Sequence, residues 1–248
     1  MMLKSNYDRV TVIPCFNEEF RLNIPRIIEV VEICKSCIIF IDDGSQDATF
    51  EILDYICSIK PEIIVIRNAE NLGKAESLKV GFDLAINSGF KYIGTYDADN
   101  SISPNDLLMA FNLIESNPSY KVTSGARLNL AGSNVKRNNF RKWMGRIVAT
   151  IVSYSIRLTI YDPQSPCKVY RSDVLSNIFK DFFLGGGKIR TKWFFDAEIL
   201  KMLNKSSDFE EAWLKEFPIL YWRDEIGSNI SIRNWFYILL DIFKLVKH

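Results

Sequence analysis

Three short stretches, VIPCFNEE (12–19), IDDGSQDAT (41–49) and YDADN (96–100), decide the fold class of this 248-residue chain. Each stretch follows a run of apolar, largely β-branched residues, and each is rich in carboxylate and amide side chains. In open α/β sheets, ligands bind beyond the carboxyl ends of the parallel strands. The three stretches therefore predict strands that end at one shared, ligand-binding edge.

Apolar runs of strand length alternate with stretches of helical spacing through the first half of the chain. Such alternation is typical of βαβ units, whose crossovers are right-handed and whose sheet is largely parallel. We therefore predict an α/β fold with a Rossmann-like, mostly parallel sheet flanked by helices. The predicted strands cover residues 9–13, 37–41, 62–66, 91–95 and 120–123, and the predicted helices cover 18–33, 47–59, 74–86 and 104–114.

The regular alternation ends at about residue 160. We interpret residues 1–248 as a single domain, in which residues 1–125 form a nucleotide-binding half and residues 126–248 form an acceptor-facing half. The later elements are a short strand at 168–170, a glycine hinge at 185–187, a helix near 194–203, an extended segment at 211–222 and an apolar helix from Ser231.

The composition excludes several classes of protein. Lys and Arg number 31 against 30 Asp and Glu, a net charge of +1, so bulk charge does not favour a nucleic-acid partner. The single histidine is His248, which excludes histidine-dependent triads, histidine-rich zinc sites and imidazole bases. Carboxylates, basic side chains, backbone amides or a bound metal must then carry the chemistry.

The cysteines and the start of the chain bear on its compartment. Cys34 and Cys37 form one CxxC, with no second pair to complete a zinc site. Buried cysteines in a reducing compartment are the favoured interpretation, and a redox dithiol is the alternative. The start MMLKSNYDRV (1–10) has no signal-peptide pattern, and no apolar run approaches the roughly 18 residues that span a bilayer. The sequence therefore predicts a cytoplasmic protein.

Asp97 and Asp99 are the candidate metal ligands. They are separated by one small residue at the end of a predicted strand, just before the helix start at Ser103 and Pro104. Two carboxylates in this position suit Mg²⁺ or Mn²⁺ held between the protein and a diphosphate. Turn-forming aspartates are the alternative interpretation.

Two further groups of residues are suited to a nucleotide. Asp42 and Asp43 precede a Gly-Ser turn, where a carboxylate is suited to binding a ribose or base; a helix start capped by Ser45 or Asp47 is the alternative interpretation. Lys74 follows Gly73 at the start of a predicted helix, where free backbone amides and the positive end of the helix dipole attract phosphate. The spacing of a Walker loop is absent.

The stretch from Ser116 to Tyr161 contains eight Lys and Arg residues and no Asp or Glu. The ordinary explanation of a charge run is a solvated face. In a chain otherwise balanced in charge, this stretch favours an anionic partner, either a phosphate-bearing acceptor or a membrane surface. The aromatic interleaving typical of RNA binding is missing, so we do not expect nucleic acid.

Two apolar segments are candidates for contact with a membrane surface. Residues 147–156 lie within the basic stretch, and residues 235–246 are rich in aromatics and precede Lys247. Interfacial helices have this composition, and so do ordinary core helices, so both interpretations stay open.

Taken in order, the motifs resemble those of family 2 of the glycosyltransferases, which have the GT-A fold. VIPCFNEE, IDDGSQDAT, NLGKAESLKVGF and YDADN are similar to the family's N-terminal motifs. The later motifs resemble the polyprenyl-phosphate branch, and FFDAEIL resembles its dolichyl-phosphate glucosyl members. These later motifs are GAR (125–127), DPQSPCKVYR (162–171), FFDAEIL (194–200) and EFPILYWRDEIGSNISI (216–232).

The resemblance implies an inverting, metal-dependent transfer of a hexose from a UDP- or GDP-linked sugar to a polyprenyl phosphate. It also implies peripheral contact of the protein with the cytoplasmic face of a membrane. It implies a nucleotide site formed by Pro14, Phe16 (in place of the family's Tyr), Glu18, Asp42, Asp43, Lys74, Asp97 and Ala98. It implies a Mg²⁺ or Mn²⁺ site at Asp97 and Asp99, and an acceptor-phosphate site at Arg127, Arg137 and Arg141. Its catalytic set is Asp97, Asp99 and Arg127, with Lys168 facing the phosphates and Asp196 near the sugar.

The acceptor decides how much acid–base chemistry the chain needs. A phosphate monoester has a second pKa of ~6, so its oxygen is already anionic at neutral pH and requires no general base. Two alternatives stay open: a glycan hydroxyl acceptor, which would need Asp196 or Asp162 as a base, and a non-catalytic nucleotide-sugar-binding protein. The predicted donor is UDP-glucose, on the strength of FFDAEIL alone.

Overall fold

The computed structural model describes residues 7–99, 101–136, 139–178, 194–205, 213–223 and 240–242, and these ranges hold nine strands and seven helices. The strands are β1 (Arg9–Cys15), β2 (Ser36–Asp42), β3 (Ile63–Arg67), β4 (Tyr92–Thr95), β5 (Val122–Ala126), β6 (Asn134–Lys136), β7 (Lys168–Arg171), β8 (Leu214–Pro218) and β9 (Tyr221–Arg223). The helices are α1 (Ile24–Cys34), α2 (Thr49–Ile59), α3 (Lys74–Asn87), α4 (Pro104–Ser116), α5 (Asn139–Ile156), α6 (Ser172–Ile178) and α7 (Phe195–Lys205).

Seven of these strands form one mixed, mostly parallel sheet in the order β3-β2-β1-β4-β7-β5-β8. Strand β7 runs antiparallel to β4 and β5, and the other neighbours are parallel. Strands β6 and β9 pair as a separate two-stranded sheet. The predicted α/β architecture is confirmed. The strand order reverses between β1 and β4, which is where open α/β sheets bind ligands.

Helices cover both faces of the sheet, so its inner strand β2 is largely apolar. Every residue of β2 (SCIIFID) is buried, as expected for a parallel strand covered on both sides. Helix α3 packs on one face, and α1 and α4 pack on the other. A Cβ at Gly81 would lie 2.3 Å from Cγ1 of Val12, so glycine permits the close approach of α3 to β1. This packing fixes the position of Lys74 at the start of α3.

Helix α1 corrects one predicted boundary. The helix expected over 18–33 begins only at Ile24. The Asn23 side chain accepts a hydrogen bond from Arg26 N at 3.1 Å, and Pro25 occupies the first turn, a position that suits proline. Apolar spacing alone extended the prediction too far, because the spacing does not show where a cap interrupts the backbone.

The second half departs further from the predictions. The extended segment expected over 211–222 is divided into β8 and β9, which belong to different sheets. Helix α5 includes the apolar segment 147–156. The glycine run at 185–187 lies outside the described residues, as does almost all of the helix expected from Ser231. Among the helices that the structure describes, none combines the length and apolar composition needed to cross a membrane.

Candidate active site

A cleft of about 230 Å³ lies at the carboxyl ends of β1, β2 and β4. It occupies the region where the strand order reverses, as expected for a ligand site in this class of sheet. The structure therefore brings together residues that the sequence places at three strand ends and one helix start. The lining residues are Pro14, Cys15, Phe16, Glu18, Asp43, Lys74, Asp97, Ala98 and Asp99.

Asp43 organises the loop that precedes α3. Its carboxylate accepts hydrogen bonds from Leu72 N at 2.9 Å, Gly73 N at 2.8 Å and Asn68 Nδ2 at 2.9 Å. Gly73 has a φ of +92°, a conformation that glycine adopts without the steric cost of a Cβ. Asp43 therefore acts as a remote cap for this loop, and it sets the direction in which Lys74 leaves the backbone.

Lys74, the first residue of α3, reaches across the cleft to Asp97. Its Nζ lies 2.6 Å from Asp97 Oδ1 and 6.0 Å from the centre of the Phe195 ring. Burial lowers the pKa of Lys74, but the carboxylates of Asp97, Asp196 and Asp99 raise it, and the net shift is upward. Lys74 is therefore a cation at neutral pH, placed to bind an anionic group in the cleft.

Asp97 and Asp99 fit the requirements of a hard cation. Burial and the charge of Asp97 raise the pKa of Asp99, although Ser101 N donates a hydrogen bond to Asp99 Oδ1 at 3.0 Å. A divalent cation would relieve this repulsion, and carboxylate oxygens suit Mg²⁺ and Mn²⁺. Within the described part of the chain, no group of three or more His, Cys, Asp or Glu residues forms a metal cluster.

Glu18 shares the cleft with the two aspartates. Burial raises the pKa of Glu18 to about 7; Arg21 opposes this rise, and the charges of Asp99 and Asp97 add to it. Arg21 Nη2 donates to Glu18 Oε1 at 2.8 Å. A carboxyl group that holds a proton near neutral pH donates as well as accepts hydrogen bonds, which suits recognition of a polar ligand.

Asp42 does not line the cleft. Its buried side chain accepts a hydrogen bond from Ser45 N at 3.2 Å and lies 3.1 Å from Arg67 Nε. The two neighbouring carboxylates therefore stabilise different segments: Asp42 stabilises the turn after β2, and Asp43 holds the loop before α3. The sequence placed both in the nucleotide site because successive residues of a strand look equivalent until their faces are known.

A second cluster of charged side chains is buried around Lys168 of β7. Lys168 is fully buried, and its Nζ donates to the Ser165 carbonyl and to Asp196 Oδ1, the latter at 3.2 Å. Burial raises the pKa of Asp196, and the nearby Lys168 and Lys74 only partly oppose this. The family resemblance implies that Lys168 faces phosphates, whereas in the structure its ammonium group binds these two partners. Lys168 is therefore placed to position Asp196.

Arg127 forms a bidentate pair with Asp162. Arg127 Nε lies 2.6 Å from Asp162 Oδ2, Nη2 lies 2.8 Å from Oδ1, and the guanidinium carbon lies 4.7 Å from the centre of the Trp222 ring. Burial alone would raise the pKa of Asp162, but Arg127 holds it at about 2. Of the other expected phosphate ligands, Arg137 lies outside the described residues, and for Arg141 the structure describes only its place in α5.

Glu216 of β8 is a supporting residue that the sequence analysis did not identify. Its carboxylate accepts hydrogen bonds from Tyr161 N at 2.6 Å and Asp162 N at 2.9 Å. Glu216 therefore holds the backbone that carries the partner of Arg127. Both Asp162 and Glu216 fall within recognised motifs, but nothing in either motif shows that the two segments meet.

The sequence matches the model of a family described as Glycosyl transferase family 2 over residues 11–179. It is similar to polyprenol monophosphomannose synthase of Mycolicibacterium smegmatis, with 25% identity over 178 residues that cover 68% of this chain and 63% of that protein. It is also similar to a dolichyl-phosphate beta-glucosyltransferase of Trichomonas vaginalis, with 23% identity over 94% of this chain and 71% of that protein. The match therefore spans less than two thirds of the length of the first of these relatives.

Solved structures share the fold at low sequence identity. Glucosyl-3-phosphoglycerate synthase from Mycobacterium tuberculosis, in complex with UDP, has a TM-score of 0.65 and 12% identity over 99% of this chain and 82% of that chain. The mannosyltransferase PcManGT from Pyrobaculum calidifontis, in complex with GDP-Man and Mn²⁺, has a TM-score of 0.61 and 13% identity over 100% of this chain and 66% of that chain. These likenesses confirm the GT-A fold.

Proposed function

The chain belongs to glycosyltransferase family 2, and from this premise we propose that it transfers a hexose from a nucleotide sugar to a polyprenyl phosphate, with inversion at the anomeric carbon. UDP-glucose is the proposed donor, because FFDAEIL (194–200) resembles the glucosyl branch and a dolichyl-phosphate glucosyltransferase matches 94% of the chain. Relatives named for polyprenol and undecaprenyl phosphate support the class of acceptor.

The observation that carries this proposal is the cleft in which Lys74 lies beside Asp97 and Asp99. When bound at the two carboxylates, Mg²⁺ or Mn²⁺ supplies positive charge to the leaving diphosphate. Lys74 supplies a second positive charge from the start of α3. The base and ribose are assigned to five of the other lining residues, Pro14, Phe16, Glu18, Asp43 and Ala98.

With a phosphate acceptor, the main task of the protein is to align the acceptor oxygen with the anomeric carbon of the sugar. An anionic oxygen of the acceptor forms the new bond to the anomeric carbon, while the bond from that carbon to the diphosphate oxygen breaks. No proton moves, so the chain needs no base, only groups that hold the two phosphates in line. We assign the acceptor phosphate to Arg137 and Arg141 of the basic stretch. We give Arg127 the role of a positioning residue, because Asp162 already binds it.

A glycan hydroxyl is the second candidate acceptor, and the buried Asp196 is the observation that favours it. A hydroxyl must lose a proton, and burial raises the pKa of Asp196 towards the range of a useful base. Asp162 is poorly suited to this role, because its pKa of about 2 makes it a weak proton acceptor. The two acceptors therefore predict different consequences of changing Asp196.

The proposed reaction also gives the two halves of the chain their roles. Of the residues that the structure describes, all those that line the cleft lie within residues 1–125, the proposed donor half. Residues 126–248 contain most of the basic stretch and form the proposed acceptor half. Because a polyprenyl phosphate resides in a bilayer, we place the working enzyme at the cytoplasmic face of a membrane.

A transfer assay tests the proposal. The purified chain is mixed with a short-chain polyprenyl phosphate and with labelled UDP-glucose, UDP-galactose or GDP-mannose in turn, in Mn²⁺ or Mg²⁺, and label is counted in the organic phase. We expect label from UDP-glucose alone and its loss when EDTA is added. Binding of the donor without lipid label, together with transfer to a glycan hydroxyl, would favour the second acceptor.

Variants of the two aspartates test whether the activity depends on the cleft. Asp97→Asn and Asp99→Asn keep the side-chain shape, and we expect each to lower kcat by about 10²- to 10³-fold, the scale of losing one preorganised electrostatic contact. Asp83→Asn is the matched control, because Asp83 is exposed on α3 and does not line the cleft. Unchanged turnover of either cleft variant in buffer replete with metal would contradict the assignment.

A further inference from the structure

Helix α5 is apolar on two opposite sides. Its inner side packs into the core through Ala149, Val152 and Ile156, which are buried, and α7 lies against it. A surface helix of a globular protein ordinarily presents polar residues on the side that faces away from the core. The outer side of α5 departs from this pattern.

The outer side carries four large, exposed apolar or aromatic residues, which we call the outer stripe. At about 100° per residue their positions fall within an arc of about 80°, so they form one continuous line along the helix. The exposed fractions are 74% for Trp143, 53% for Ile147, 41% for Ile151 and 87% for Tyr154. Single exposed apolar residues are common on proteins, but an aligned set of this size marks an interaction surface.

The charges that the sequence of α5 carries show what kind of partner fits the outer stripe. Helix α5 contains Arg141, Lys142 and Arg146 and no acidic residue, and Arg157 follows directly at its end. A second copy of the chain, docked through the same stripe about a two-fold axis, would bring two such cationic helices together. An anionic surface would instead be attracted to them.

The side chains of the outer stripe suit the boundary of a bilayer. Tryptophan and tyrosine stand at its two ends and isoleucines fill its centre, and aromatic residues with a polar tip favour the depth of the lipid head groups. Because its inner side packs on the core, α5, which at 18 residues is about 27 Å long, would lie along such a surface rather than across it. We propose that α5 docks through its outer stripe on an anionic lipid bilayer.

A groove connects this surface with the buried charges of the second cluster. The groove has a volume of about 1100 Å³, and its walls include Ile151, Tyr154, Tyr161 and Glu216. Glu216 holds the backbone of Asp162, the partner of Arg127. Docking of α5 therefore sets the mouth of the groove at the lipid surface. This use of the groove rests on the proposed function, whereas the docking itself is measured without any reaction.

Sedimentation with lipid vesicles tests the docking. The full chain is mixed with vesicles of phosphatidylcholine alone, or of phosphatidylcholine with one third phosphatidylglycerol. Trp143→Ser combined with Ile147→Ser removes half of the outer stripe and leaves the walls of the groove unchanged. The matched control is Tyr55→Ser combined with Ile59→Ser, an exposed aromatic and isoleucine one helical turn apart on α2.

We expect the parent chain and the α2 control to bind the anionic vesicles equally, and we expect high salt to weaken both. The α5 variant should bind at least tenfold more weakly while keeping the thermal unfolding midpoint of the parent. Equal binding by all three proteins, equal loss in both variants, or no binding by the parent would overturn the proposal. A parent dimer that the α5 variant abolishes would also overturn it, in favour of a second copy as the occupant.

A transfer assay with a short-chain, water-soluble acceptor and no vesicles tests the proposed function independently of the docking. We expect the α5 variant to retain parental turnover there, because neither Trp143 nor Ile147 lines the cleft or the groove. Vesicle binding that depends on α5, in a chain that transfers no sugar to lipid phosphate, would overturn the proposed function and leave the docking surface supported.

Discussion

Lys74 Nζ lies 2.6 Å from Asp97 Oδ1, so one carboxylate of the proposed cation pair already has a positive partner on the protein itself. A divalent cation at Asp97 and the ammonium group of Lys74 compete for the same oxygen. A diphosphate in the cleft offers Lys74 a different anionic partner. The two ligands should therefore bind with positive coupling, each raising the affinity of the other.

The first prediction concerns Lys74→Met, which should move two affinities in opposite directions. We expect donor affinity to fall about tenfold or more, the scale of losing one charged hydrogen bond. Mn²⁺ affinity measured without nucleotide should rise, because Asp97 loses its competing cation. Calorimetric titration measures both affinities, with Lys79→Met on the same helix as the control. A parallel fall of both affinities would show that Lys74 supports the fold of the cleft instead.

The second prediction concerns the stability of the Arg127–Asp162 pair. Arg127→Met leaves a buried carboxylate without its main partner and should lower the free energy of unfolding by about 3–5 kcal/mol. Combining it with Asp162→Asn removes that charge and should restore most of the loss. Urea unfolding of the two single variants and the double variant gives the coupling. If Arg127→Met leaves stability unchanged but raises the KM for the lipid phosphate, Arg127 is a phosphate ligand instead.

The third prediction is a dependence of stability on pH. The pKa of Glu18 rises from 4.5 to about 7 on folding, so the folded chain binds more protons than the unfolded chain between these pH values. Stability from this group is therefore present below about pH 4.5 and is lost as the pH rises to about 7.

Glu18→Gln removes this dependence. We expect it to raise the free energy of unfolding at pH 8 by about 1–3 kcal/mol and to change it little at pH 4. Thermal unfolding at the two pH values measures the effect, with the exposed Glu51→Gln as the control. An equal effect of Glu18→Gln at both pH values would mean that the titration of Glu18 is not its cause.

The fourth prediction distinguishes the two candidate acceptors. Asp196→Asn keeps a hydrogen-bond partner for Lys168 but removes the proposed base. With a lipid phosphate acceptor we expect a fall in kcat of less than about tenfold. With a hydroxyl acceptor, loss of a general base costs about 10²- to 10⁴-fold. The pH profile of kcat should also lose its acidic limb in the hydroxyl case and keep its shape in the phosphate case.

Much of the cleft could be predicted from local sequence alone. Pro14, Glu18, Asp43 and Asp97 lie at or shortly after a strand end and Lys74 begins a helix, and parallel strands bring such ends to one edge. Apolar alternation locates the strands, so the positions of the residues that follow them are determined as well. The same reasoning does not distinguish Asp42 from Asp43, because the face that a strand residue presents depends on the sheet around it.

The second cluster could not be predicted in the same way. Arg127 and Asp162 are 35 residues apart, and Lys168 and Asp196 are 28 apart, with no periodicity linking the members of either pair. In the sequence alone, Arg127 and Lys168 resemble phosphate ligands, because their carboxylate partners lie far away along the chain. Only the packing of β5, β7 and α7 shows that carboxylates already bind both.

By itself, the sequence determined the α/β class, the edge of the sheet where the cleft lies and the carboxylates suited to a cation, because these depend on short apolar runs and on the residues next to them. Only the tertiary structure decided which charges are paired, which are buried and which apolar side chains of α5 face outward. Burial and pairing are properties of distant segments in contact, and no local pattern records them. The ammonium group of Lys74 beside Asp97 and the outer stripe of α5 both belong to this second kind of information.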